Sequence, residues 1–122
     1  MFERGFIMKL KCVNISTTNV LEMSQFYSLV LNKPYLKRSL NRYEILIDNC
    51  CIVISLSNNK SPINPDCCRL EFIVDDIDME YNRLISAGIT ISDEPKMLPW
   101  NYKYFAIKDP DRNHIDFVEF VG

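Results

Sequence analysis

The stretch RLEFIVDDIDMEYNRLISAG, residues 69–88, holds two patterns in succession. Over RLEFIVDD, Leu70, Phe72 and Val74 alternate with Arg69, Glu71 and Ile73, the period of two that marks a strand with unlike faces. IDMEYNRLISAG then reads as a helix, entered through Asp75 or Asp76 and ended by Gly88. Three more strands follow, at about 89–92, about 101–107 (NYKYFAI) and about 113–120 (NHIDFVEF). The turn Asp109-Pro110-Asp111-Arg112-Asn113 separates the last two.

The same order precedes this stretch. KLKCVNIS, residues 9–16, alternates as a strand. Asn19 is an N-cap for VLEMSQFYSLVL, whose apolar residues fall at 20, 23, 26, 27, 30 and 31, which is helix spacing. Asn32 ends this helix and Pro34 prevents its continuation. Strands are expected at about 34–39, about 43–48 and about 51–56, with a turn at Asp48-Asn49. SNNKSPINPD, residues 57–66, is a polar linker with two prolines. The chain therefore reads as two copies of strand–helix–strand–strand–strand, 9–56 and 67–120, within one α+β domain spanning 9–122. Such duplication is more diagnostic than any single element. A second methionine, Met8, stands just before the first strand, so residues 1–8 are expected to be a loose leader, with translation starting at Met1 or at Met8.

With 122 residues the chain is below the roughly 150 that serve as a soft prior for one domain. It can still bury roughly two-thirds of its unfolded surface. Its 48% apolar and 25% charged residues are globular in proportion, and its net charge of −2 weighs against nucleic-acid or anionic-membrane partners. The longest apolar run, residues 50–54, is far short of the about 20 residues a membrane span needs. Five cysteines, at 12, 50, 51, 67 and 68, match no CxxC redox or zinc spacing. If both adjacent pairs lie in strands, each pair splits between two faces, which disfavours a four-cysteine metal centre. Reduced thiols in a cytoplasmic protein are the expectation.

In each copy one strand face suits the helix: Val13 and Ile15; Ile52, Ile54 and Leu56; Leu70, Phe72 and Val74; Ile115 and Phe117. The opposite face carries Cys12, Asn14 and Ser16; Cys51, Val53 and Ser55; Arg69, Glu71 and Ile73; His114, Asp116 and Val118. This second face is more polar, as a small-molecule site would be and as a solvated sheet would be too. Trp100, Tyr102 and Tyr104 form an aromatic strip that suits a pocket wall, a core or a dimer interface. Nothing places His114, the only histidine, beside Cys12 or a serine for nucleophilic catalysis. Three glycines, at 5, 88 and 122, cannot build a phosphate-cradling loop.

Four pieces in this order resemble the vicinal oxygen chelate superfamily of glyoxalases, bleomycin-resistance proteins and extradiol dioxygenases. They are the opening strand followed by Phe26-Tyr27, VDDID at 74–78, PWNYKYF at 99–105 and DPDRNHIDF at 109–117. The resemblance implies two βαβββ units forming a curved, cup-like mixed sheet, helices outside, often completed as a homodimer. It also implies, in metal-dependent relatives, four His, Gln or Glu ligands to a divalent ion. The matching positions here are Cys12, Ser55, Arg69 and Asp116. Only Asp116 suits such an ion, and Arg69 is a permanent cation expected to pair with Asp116. Asn101 and Arg112 stand where relatives carry glycine, with Asn113 expected to take the left-handed backbone position of the final turn. Lys103 stands where many relatives carry arginine.

These readings favour a metal-free small-molecule-binding protein over an enzyme, with Arg69, Glu71, Trp100, Tyr102, His114 and Asp116 as ligand-binding residues and Arg69 as the anchor for an anionic or carbonyl group. The alternative is a metal-dependent lyase, isomerase or dioxygenase resembling glyoxalase I, with a divalent metal on His114, Asp116 and Glu71. A third possibility is an interaction module that has lost both activities.

Overall fold

The computed structural model describes residues 8–57 and 69–122. All of the linker except Ser57, most of the leader, and Cys67 and Cys68 thus lie outside the described residues. The chain divides into two compact units between residues 60 and 61.

The first unit runs β1 (Cys12–Thr17), α1 (Val20–Leu31), β2 (Leu36–Ser39), β3 (Arg42–Ile47) and β4 (Cys50–Leu56). The second runs β5 (Arg69–Ile73), α2 (Ile77–Ser86), β6 (Ile91–Met97), β7 (Tyr102–Lys108) and β8 (His114–Phe120). Each unit is one four-stranded mixed sheet, ordered β1-β4-β3-β2 and β5-β8-β7-β6. The first and last strands pair in parallel and the remaining neighbours are antiparallel. The expected duplication is therefore present in topology as well as in pattern.

Both helices begin where a side chain satisfies a free backbone amide. Asn19 accepts from the Glu22 amide at 3.4 Å, and Glu22 accepts from the Asn19 side-chain amide at 2.6 Å, a reciprocal cap. Asp76 accepts from the Met79 amide at 3.1 Å. Asn32 (φ 54°) and Gly88 (φ 83°) turn the chain out of the two helices in the left-handed region.

The helices then bury one stripe each. Met23, Tyr27 and Val30 of α1 are fully buried, and the helix packs on β3 and β4, where Ile45, Ile52 and Ile54 are buried. Ile77 and Leu84 of α2 meet β6, β7 and β8. The core of the second unit is aromatic. Phe105 and Phe117 are register partners whose rings stack with centroids 5.1 Å apart, and Tyr81 of α2 meets Phe105 edge-on at 5.5 Å. Each such ring buried contributes roughly 1.5–3 kcal/mol.

Two expectations need correction. The strand expected at about 89–92 continues to Met97, through Pro95. This works because β6 is an edge strand with register irregularities between Ile91 and Asp93 and between Asp93 and Lys96, so Pro95 leaves no ladder bond unmade. In the final turn the left-handed residue is Arg112 (φ 72°), not Asn113. Asn113 is buried instead, and its backbone and side-chain amides both donate to the Asp109 carboxylate, at 2.9 and 2.8 Å. Asn101, by contrast, does take a left-handed conformation (φ 67°).

Candidate functional site

The face of the second sheet away from α2 carries Arg69, Glu71 and Ile73 from β5, then His114, Asp116 and Val118 from β8. The parallel register sets Arg69 beside His114 and Glu71 beside Asp116. Arg69 therefore reaches Asp116 diagonally. Its Nε donates to Oδ2 at 2.6 Å and its Nη2 to Oδ1 at 3.1 Å, a bidentate ion pair. The Asp116 side chain is 7% exposed and that of Arg69 is 52% exposed, so the cation lies over a buried carboxylate. Asp116 raises the already high pKa of the guanidinium, with smaller contributions from Tyr104 and Asp93. Tyr104 in turn donates to Asp93 at 3.2 Å and carries the Lys96 ammonium over its ring, 5.4 Å from the centroid.

This face is not simply solvated. Ala106, Asp116 and Val118, all on it, are buried. Toward one end of the face an open pocket of about 330 Å³ is lined by Glu71, Ile73, Leu98, Trp100, Tyr102 and Val118. One carboxylate thus sits among aromatic and aliphatic walls. Trp100 stands in the loop joining β6 to β7, which is closed by the Leu98 amide donating to the Tyr102 carbonyl at 2.7 Å and turned by Asn101. Tyr102 is held by a tilted contact with Phe120, its partner on β8, at 5.3 Å.

Of the six residues expected to bind ligand, Glu71, Trp100 and Tyr102 line this pocket. Arg69, Asp116 and His114 occupy the same sheet face but not the pocket wall, and His114 is partly buried. Leu98 was not expected. It follows the edge strand without periodicity, and only the Pro99-to-Asn101 turn signal points to the loop that brings it there. Lys103 lies outside the site and binds the Asp78 carboxylate of α2 at 2.9 and 3.0 Å.

The four positions that match a family metal centre do not fit one. Arg69 brings a cation that is already bonded to Asp116. Ser55 donates its hydroxyl to Asn14 at 2.8 Å, and Cys12 is a soft donor. Among the described residues, no three His, Cys, Asp or Glu side chains form a group able to hold a metal ion. Nor, among those residues, is any helix long and apolar enough to cross a membrane.

The fold is shared with several solved structures. A glyoxalase/bleomycin resistance protein/dioxygenase from Nocardioides aligns with a TM-score of 0.82 at 13% identity, covering 96% of this chain and 86% of that one. A glyoxalase/bleomycin resistance protein/dioxygenase family enzyme from Burkholderia phytofirmans aligns at 0.77 and 23% identity, covering 93% and 99%. A lactoylglutathione lyase from Agrobacterium tumefaciens aligns at 0.75 and 14% identity, covering 91% and 92%. No curated protein matches the sequence. The family model for the Glyoxalase/Bleomycin resistance protein/Dioxygenase superfamily matches residues 9–117, nearly the whole repeated architecture, and the chain belongs to that superfamily.

Proposed function

We propose that the chain binds a small molecule without a family-type metal, in the pocket of Glu71, Trp100 and Tyr102. The observation that carries this reading is the Arg69–Asp116 pair. It sets a protein cation at positions corresponding to the metal ligands of metal-dependent relatives, and it occupies the only carboxylate among those positions. The same pair bears on ligand charge. Two of Arg69's donor groups are committed to Asp116, with Asp93 and Glu71 nearby, so an anion gains little there. Glu71, set between aromatic walls, favours a planar or apolar ligand with a basic nitrogen.

Trp100 is the chain's single tryptophan and is 63% exposed, so its fluorescence reports occupancy directly. Titration with planar aromatic amines should quench or shift it, whereas carboxylate analogues should not. Glu71→Gln should weaken amine binding by roughly tenfold or more, the scale of one hydrogen bond to a charged group. Tighter binding of the carboxylates would overturn this charge assignment and restore Arg69 as the anchor. Near-stoichiometric zinc, nickel, manganese or iron in protein purified without chelator would overturn the metal-free reading.

Two further expectations belong with this reading. The free thiols of Cys12, Cys50 and Cys51 support a reducing, cytoplasmic setting. Exposed Ile73, Met97, Trp100 and Phe120 support a homodimer, which sedimentation velocity would detect.

A further inference from the structure

The first unit has a site of different chemistry. β1 and β4 run in parallel, and Cys12 and Cys51 are direct register partners. Both thiols belong to the face away from α1, the face that carries Val53, Leu46 and Glu44. An open pocket of about 310 Å³ lies over that face, lined by Lys11, Cys12, Arg42, Glu44, Asp48, Cys50 and Cys51 among others. Both cysteines are free and partly buried.

We propose that Cys12 and Cys51 form a two-thiol site for one soft monovalent metal cation, Cu(I) being the probe. The spacing of neighbouring strands suits such an ion. Neighbouring strands lie about 4.7–4.9 Å apart. A linear S–metal–S unit spans about 4.6 Å, taking the zinc–thiolate length of about 2.3 Å as a guide. Donor type and number agree. Thiolates select soft ions such as Cu(I). The described residues include no group of three metal-ligating side chains, so the four-coordinate centre that zinc requires is missing, whereas a linear ion needs only two donors. Cys50 also lines this pocket, but its register partner is Ile47 and it has no partner on β1, which leaves it outside the pair.

Binding breaks two S–H bonds and forms two S–Cu bonds. Two protons leave to solvent, no electron moves, and the bound unit carries one negative charge. The surroundings can offset that charge. Lys11 and Asp48 line the pocket, and Glu44 is shared by Arg38 at 2.9 Å and Arg42 at 3.0 Å, so these five groups together carry one net positive charge. Those two guanidiniums hold the Glu44 carboxyl below its ordinary value, so it remains their counter-charge.

The test uses the full chain carrying Cys67→Ser and Cys68→Ser, under anaerobic conditions, with Cu(I) delivered in competition with a chelator of known affinity. One ion per chain should bind, with an ultraviolet thiolate-to-copper charge-transfer band. Cys12→Ser and Cys51→Ser should each weaken binding by at least roughly a hundredfold, at or beyond the 10–100-fold that outer-shell changes cost. Cys50→Ser should leave it unchanged. Binding that survives either of the first two substitutions, or is lost in the third, overturns the proposal. Alkylation mapped by mass spectrometry supplies a readout independent of whether those variants fold. Cu(I) should protect Cys12 and Cys51 while Cys50 keeps its rate; protection of Cys50 instead, or of neither partner, overturns the proposal.

Discussion

Arg69 and Asp116 are coupled through unequal burial. Asp116 is shut away from water and Arg69 is half exposed, so each depends on the other to a different degree. Removing Arg69 would leave a buried carboxylate beside Glu71, its register neighbour, with no counter-charge. Discounted for the exposure of the guanidinium, the loss expected for Arg69→Ala is about 1–3 kcal/mol in urea unfolding. Arg69→Ala/Asp116→Ala should recover part of that loss, because the stranded charge goes with it. Equal loss in the single and double variants would mean that Asp116 does not need the pair. The pairing itself was legible in the sequence, since the first and last strands of a βαβββ unit are neighbours. Its diagonal geometry was not, because register is set by side-chain packing along whole strands. Residues 112 and 113 teach the same lesson. Asparagine prefers the left-handed region, yet two hydrogen bonds from Asn113 to the buried Asp109 fix Asn113 elsewhere and pass that conformation to Arg112.

At the scale of elements, helices were read closely because their signals are local. α1 occupies the segment that its apolar spacing and Asn19 cap define, and α2 begins after Asp76. The strand expected to end near residue 92 was read too short because proline argues against a strand only where a ladder bond is required. One residue of α1 contradicts its surroundings. Ser24 is fully buried, and its hydroxyl has no hydrogen-bond partner among the described residues. Ser24→Ala removes an unsatisfied polar group and improves helix propensity, so it should raise stability by about 1 kcal/mol. Asn19→Ala removes a cap on the same helix and should lower stability by about 1 kcal/mol. Thermal unfolding should move in opposite directions for the two. A lower Tm for Ser24→Ala would mean that the hydroxyl has a role in the core.

For the whole molecule, duplication was the most readable property, because it depends on the order of patterns and not on any boundary. The pocket was less readable. Glu71, Ile73, Tyr102 and Val118 come from three strands of one sheet, and only the assembled register makes them neighbours of Leu98 and Trp100. The sheets also differ along their margins. β2 is four residues long and includes Lys37 and Arg38, while β6 is bulged and contains Pro95. Both devices discourage another strand from adding there. At the opposite margins, β5 carries the exposed charges of Arg69 and Glu71, whereas β1 holds no charged residue and no proline. Amide hydrogen exchange at rising protein concentration should therefore leave β2 and β6 unaltered, and any slowing caused by backbone pairing should fall on β1. Slowing at β2 or β6 would contradict this. The first repeat is thus guarded on its hairpin side and carries no such guard in the strand with which it begins, which gives any growth of that sheet a direction.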